Sequence, residues 1–251
     1  MRIGCVGLGL IGGSLCKYIL SKDEDVSLFI QDINQSTIMM AREQMPGCAF
    51  VDAIRLLPKD LDILFVCTPI NTLIEVIAEV HAHVSESTII TDVASVKSFV
   101  VDQIKAPNIV PGHPIAGTEH SGFSYAIPEM LHRASYILIP TEENLPSLKK
   151  LKEYLDFLEF DVTCLTAEAH DDFISITSHL PYLIAKALQD FSDTSEVPEA
   201  LKGPSFKSAT RVAKMAESWG QEVTKKNNGY IHRSVDTFCS ILKKTFQDLS
   251  S

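Results

Sequence analysis

The sequence predicts two domains: a doubly wound α/β domain built on a parallel sheet, over residues 1–165, and a smaller all-helical domain over residues 166–251. Three observations predict it. Short β-rich runs alternate with helical stretches through the first two-thirds of the chain. Several of those runs are apolar throughout, which is the pattern of strands covered by helices on both faces. After Leu165 the β signal stops, and only helical periodicity remains.

Strands are expected at Arg2–Val6, Val26–Gln31, Asp62–Thr68, Thr88–Asp92, Asn108–Pro111, Ser135–Pro140 and Asp161–Leu165. Helices are expected between them, among others at Ile11–Leu20, Ser36–Glu43, Thr72–Val84 and Leu145–Leu158. In the second domain Phe173, Ile176, Leu180, Leu183, Ile184, Ala187, Leu188 and Phe191 recur at spacings of three and four. Pro181 interrupts that run and should kink it. A break at Leu201–Pro204 precedes helices near Ser208–Ala216 and Ile231–Leu242. A helical domain this short cannot bury so many apolar positions by itself, so a homodimer through the C-terminal helices is expected.

Of 251 residues, 45% are hydrophobic and 22% charged, ordinary values for a globular protein. The formal net charge is -10 and no long basic cluster occurs, which argues against a nucleic-acid partner. No apolar run is long enough to span a bilayer, so no membrane partner is expected. The first strand starts at Arg2 and leaves no room for a signal peptide. The six cysteines form no CxxC pair and sit mostly in apolar segments. They are read as buried, reduced thiols of a cytoplasmic protein. No metal-ligand spacing is present.

Gly7-Leu8-Gly9-Leu10-Ile11-Gly12 directly follows the first strand and opens the first helix. A GxGxxG run in that context is the fingerprint of a Rossmann-type dinucleotide site. Gly7 permits the tight turn, Gly9 lets the backbone approach a pyrophosphate, and Gly12 lets helix and strand pack closely. Free N–H groups at the helix start then face the phosphates. Asp32 lies 20 residues after Gly12 and closes the second strand. Its carboxylate suits the adenosine ribose hydroxyls and repels a 2′-phosphate, which favours NAD over NADP. Thr68 and Pro69, at the end of the third expected strand, complete the cofactor-binding set.

The chemical centre is expected in Asp92-Val-Ala-Ser95-Val-Lys97 and Pro111-Gly-His113-Pro-Ile-Ala-Gly117-Thr-Glu119-His-Ser-Gly122. Both begin at the C-terminal ends of predicted strands, the edge of an open α/β sheet where ligands bind. An imidazole there can take a proton near neutral pH, as alcohol oxidation by a nicotinamide requires. Ser95 has a second reading as a helix cap, and Arg211 as a surface residue paired with Glu217 or Glu222. His179 has one as a core histidine. His170 with Asp171 is read as the start of a helix and given no catalytic part.

These segments resemble the prephenate/arogenate dehydrogenase family. The likeness runs in order through Gly7–Ser14, Asp92–Lys97, Gly112–Glu119, Ser178-His-Leu-Pro181 and Thr210-Arg211. The resemblance implies an NAD-dependent oxidative decarboxylation of prephenate, or the matching reaction of arogenate. It implies that His113 is the catalytic base and that Ser95 orients it. It assigns a substrate carboxylate to Arg211, the active-site entrance to Glu119, and the substrate-facing helix to His179, with Trp219 at an aromatic position after the arginine. The chain departs from the family pattern at Tyr182, where a second histidine is usual, and at Ser208, where an aspartate is common. No room is expected for the C-terminal regulatory ACT domain of some relatives.

Overall fold

A computed structural model describes residues 1–250, which form two compact units that divide after Ala167. The first unit starts with β1 (Arg2–Val6), α1 (Leu10–Lys22), β2 (Ser27–Gln31), α2 (Gln35–Gln44) and β3 (Ala49–Val51). It continues through β4 (Ile63–Val66), α3 (Leu73–His83), β5 (Ile89–Asp92), α4 (Ser98–Gln103) and β6 (Ile109–Val110). β7 (Gly112–Pro114), β8 (Ser135–Leu138), α5 (Leu145–Phe157) and β9 (Asp161–Cys164) complete it.

Strands β1 to β6 form one parallel sheet in the order β3-β2-β1-β4-β5-β6. This is the doubly wound Rossmann-type order, with its switch point between β1 and β4. Alternation within the apolar strands splits the core in two. Ile3, Cys5, Ile63 and Phe65 face one layer with Leu15, Ile19 and Leu155. Val6, Leu64 and Val66 face the other with Leu73, Ile77, Val80 and Val100. A strand buried on both faces is therefore apolar at every position, which is why these runs lack a polar-apolar alternation.

Two strands escaped the sequence reading. β3 is only three residues long, and β7 hides inside a Gly-His-Pro run with no β-branched residue. The expected strands at 135–140 and 161–165 also leave the main sheet: β7-β8-β9 form a separate three-stranded sheet, with β7 antiparallel to β8. Of the cysteines, Cys5 and Cys16 are buried, but Cys164 and Cys239 are exposed, which corrects the expectation of uniformly buried thiols.

The second unit is helical: α6 (Ala167–Ile174), a π-turn at Ser175–His179, α7 (Leu180–Thr194), α8 (Pro204–Ala209), a 3₁₀ turn at Arg211–Lys214, α9 (Glu217–Lys226) and α10 (Asn228–Ser250). Pro181 is the second residue of α7, and the backbone before it is still helical at His179 and Leu180, so its missing N–H falls where the π-turn gives way to α7. A π-turn stands directly before it, at the place where the sequence predicts a kink. No helix among the described residues is long and apolar enough to cross a membrane.

Candidate active site

The glycine loop leaves β1 through Gly7, whose φ of 96° is open to glycine and strained for other residues. A Cβ on Gly12 would lie 2.0 Å from the Gly7 carbonyl oxygen, so this glycine sets the distance between helix and loop. A Cβ on Gly9 would meet nothing within 4 Å: the space above it is open. Gly9 also stands at the N-cap of α1, with the first-turn N–H groups directed out of the helix end. This geometry fits a pyrophosphate.

Asp32 is engaged by two backbone donors. Its Oδ2 accepts from the Leu8 N–H at 2.6 Å and its Oδ1 from the Asn34 N–H at 2.7 Å. The carboxylate thus ties the glycine loop to the turn after β2, where Asn34 caps α2. Each oxygen keeps a second lone pair for a ligand hydroxyl. A cavity of about 480 Å³ opens beside this turn, with Gly7, Asp32, Thr68 and Pro69 in its wall. The Thr68 hydroxyl is buried there without a hydrogen-bond partner. The chemistry of this wall fits an adenosine dinucleotide: a diol acceptor, an open glycine cradle and a spare hydroxyl.

The remainder of the glycine-rich run holds the chain that follows His113, a role the sequence did not reveal. A Cβ on Gly13 would strike Phe123 and Ala126, so α1 packs directly against the 3₁₀ turn at Phe123–Tyr125. Ser14 Oγ accepts from the Ile127 N–H at 2.8 Å, and Lys17 Nζ donates to the Ala126 carbonyl at 3.0 Å. The long excursion after His113 is thereby anchored on the nucleotide helix.

His113 is half-buried in the middle of β7, in register with Ile137. Gly112 before it is buried, and a Cβ there would press on the Tyr136 ring, Thr91 Oγ1 and the Asp92 carbonyl. Only glycine lets β7 approach the end of β5 so closely. The two segments are then joined by a buried ion pair. The Lys97 ammonium, wholly buried, pairs with Asp92 Oδ1 and donates to the Gly112 carbonyl at 2.6 Å. Asp92 Oδ1 also accepts from the Ala94 N–H at 2.8 Å, which turns the chain toward Ser95. Ser95 is half-buried on this loop. Lys97, not Ser95, is the N-cap of α4, and no side chain caps that helix, so the capping reading of Ser95 is set aside. In the sequence Asp92 and Lys97 mark only the ends of the Asp92–Lys97 run, with no role expected for either. A lysine ending a polar-apolar run is ordinarily a surface residue, and only its burial marks it.

Glu119 is half-buried in the loop after β7. Arg211 is exposed on the 3₁₀ turn of the helical unit. His179 and Tyr182 lie inside that unit, 1% and 5% exposed. His179 Nδ1 lies 3.2 Å from Asn227 Nδ2, and its ring meets Trp219 edge-on. Burial holds its pKa down to about 4, so the ring is neutral at physiological pH. Its Nε2 has no partner. Tyr182 packs on Trp219 and occupies the space a Cβ on Gly220 would fill. His170 and Asp171 form a buried pair at 2.8 Å, and the Asp171 carbonyl accepts from Asn227 at 2.9 Å.

Comparison with known proteins returns two family models that together cover most of the chain. Residues 15–163 match the nucleotide-binding domain of prephenate dehydrogenase, and residues 166–250 match its dimerization domain. A cyclohexadienyl dehydrogenase of Zymomonas mobilis is 29% identical over 97% of this chain and 86% of its own length. The prephenate dehydrogenase of Bacillus subtilis is 26% identical over 90% of this chain, which spans only 64% of that protein. Among solved structures, the prephenate dehydrogenase of A. aeolicus in complex with hydroxyphenyl propionate and NAD+ superposes with a TM-score of 0.90 at 26% identity, covering 100% of this chain and 91% of that one.

Proposed function

The chain belongs to the prephenate dehydrogenase family, and from that premise we propose that it oxidatively decarboxylates prephenate to 4-hydroxyphenylpyruvate with NAD⁺, a step of tyrosine biosynthesis in the cytoplasm. The observation that carries this reading is the junction of β5 and β7, where the buried Lys97–Asp92 pair holds the His113 strand beside the Ser95 loop at the carboxyl edge of the sheet.

In this reading the glycine loop, Asp32, Thr68 and Pro69 hold the dinucleotide, which supplies the hydride acceptor. His113 takes the proton from the ring hydroxyl, and Ser95 fixes the direction of that hydrogen bond. Loss of hydride and proton leaves a ring ketone conjugated to the carbon that bears the carboxylate. That ketone accepts the electron pair of the breaking C–C bond, CO₂ departs and the ring becomes aromatic. Arg211 is assigned the substrate carboxylate, which its planar fork can bind in a bidentate manner. Glu119 is assigned the rim of the site, and His179 and Tyr182 the substrate side of the helical unit. The active form is proposed to be a homodimer through that unit, supported by the dimerization-domain match and by a row of exposed apolar residues on α10.

The test is NADH formation followed at 340 nm, with prephenate and arogenate supplied separately. Turnover of prephenate with NAD⁺ is expected. Preference for arogenate would change the substrate while keeping the chemistry, and would attribute the change to Tyr182 in place of a histidine. Inertness toward both, with NADH bound, would overturn the reading.

A further inference from the structure

The adenosine cavity is lined by four carboxylates, Asp32, Asp52, Glu75 and Glu79, and among the described residues no lysine or arginine lines it. The fold places them together. β2 and β3 run parallel with Gln31 opposite Val51, so Asp32 and Asp52 each follow directly after the ends of two neighbouring strands. Glu75 and Glu79 are four residues apart on α3 and therefore on one face of it. Asp52, Glu75 and Glu79 are all exposed. The charge of Asp32 is also fixed in place by the Leu8 and Asn34 N–H groups, so it cannot swing away from an incoming anion.

We propose that discrimination against NADP(H) is distributed over this wall, with Asp52, Glu75 and Glu79 as specificity-determining residues beside Asp32. The proposal rests on the dinucleotide reading of the cavity. A 2′-phosphate carries close to two negative charges and would enter a field built by four carboxylates with no cation to meet it. Replacing Asp32 alone would leave three of those charges. An amide there would keep one acceptor oxygen where the Leu8 and Asn34 N–H groups now use two, loosening the glycine loop, so both nucleotides would lose affinity together.

The experiment measures dissociation constants of NADH and NADPH by nicotinamide fluorescence, without substrate, so that it is independent of which acid the enzyme oxidises. The readout is the NADPH-to-NADH ratio. The triple variant Asp52→Asn/Glu75→Gln/Glu79→Gln, with Asp32 intact, is expected to shift that ratio toward NADPH by about tenfold or more. The shift should shrink as salt rises, because these charges are exposed and screened. Asp32→Asn alone is expected to weaken NADH while moving the ratio less than the triple variant does. The single reversal Glu79→Lys, on an exposed helix position, provides a second test with little risk to folding and should move the ratio in the same direction. An unchanged ratio in both the triple variant and Glu79→Lys would overturn the proposal, as would a full switch to NADPH from Asp32→Asn alone. Failure of either nucleotide to bind the unsubstituted protein would overturn the dinucleotide reading and this proposal with it.

Discussion

Lys97 and Asp92 are where single residues carry the most. Both are buried, each neutralises the other, and Lys97 spends a further hydrogen on the Gly112 carbonyl, one peptide from His113. Breaking one partner of such a pair leaves a buried charge and costs about 3–5 kcal/mol. Lys97→Met is therefore expected to lower the urea midpoint strongly. Lys97→Met combined with Asp92→Asn should lower it by less than the sum of the single changes. Equal and additive losses would show that the two groups do not act as a unit. His113 belongs to the same scale with a different signature. As the general base it should lose roughly 10²–10⁴ in kcat on change to Asn, with the urea midpoint held, because the ring is half-buried and Asn can occupy the strand. Near-normal turnover of His113→Asn would remove it from the chemistry. His113 was singled out in the sequence by its place at the end of a strand and by the family resemblance. The lysine that supports it was not, since nothing in a linear spacing of five residues reveals burial or a carbonyl reached across two loops.

Among the elements, the loop between β1 and α1 separates two uses of glycine that a motif lumps together. Gly12 is constrained by the protein itself, and Gly9 only by what lies above it. Gly12→Ala is expected to reduce both the unfolding midpoint and NADH affinity. Gly9→Ala should leave the midpoint in place and weaken NADH by about tenfold or more, the added methyl standing where the pyrophosphate must come. Equal thermal losses from the two variants would contradict this division. The π-turn at Ser175–His179 gives the helical unit its own pH response. His179 is packed against Trp219 and Asn227 and near His170 and Asp171; burial lowers its pKa, the Asp171 charge partly opposes this, and His170 adds to the lowering. The folded pKa, about 4, lies below the ordinary value of 6.5, so the unfolded chain takes the proton first. The stability contributed by the neutral ring is present above pH 6.5 and is lost as pH falls toward 4, at no more than about 1.4 kcal/mol per pH unit. His179→Gln should flatten that part of the stability–pH curve, measured by urea unfolding from pH 7 to pH 4. A curve parallel to wild type would show that His179 does not titrate on unfolding. Most strands and helices of the α/β unit were readable from its apolar runs and helical periodicity, although the three-residue β3 was not. β7 and the π-turn were not, because a Gly-His-Pro strand has no strand propensity and a π-turn has the same apolar spacing as the helices around it.

For the whole molecule, the doubly wound class of the main sheet followed from the alternation of strands and helices together with the glycine loop, and the family resemblance supplied the proposed reaction. The second, three-stranded sheet did not follow, since pairing of β7 with β8 is a long-range choice that leaves no mark on either segment. What the chain as a unit leaves unresolved within itself is the end of α10. Only Ile231 and Ser234 of its 23 residues are buried. Val235, Phe238, Leu242, Phe246 and Leu249 recur at spacings of three and four along one face, and the last three are 56%, 71% and 83% exposed in the single chain. A stripe of this kind on a solvated monomer opposes its own exposure, and a second copy of the same stripe is a matching surface that every cell making the chain already contains. Leu242→Glu/Phe246→Glu would place two like charges on each copy at that seam. Sedimentation equilibrium at micromolar concentration is expected to give a dimer for the unsubstituted chain and a monomer for the double variant, with helical content retained because glutamate is a good helix former. The concentration dependence separates the mechanisms: a seam through α10 makes the melting temperature of the unsubstituted protein rise with concentration and that of the variant flat. A variant that remains dimeric would move the interface to the other exposed apolar residues of the helical unit, Phe173, Ile176, Phe191 and Leu201, and a monomeric unsubstituted chain would remove the dimer altogether.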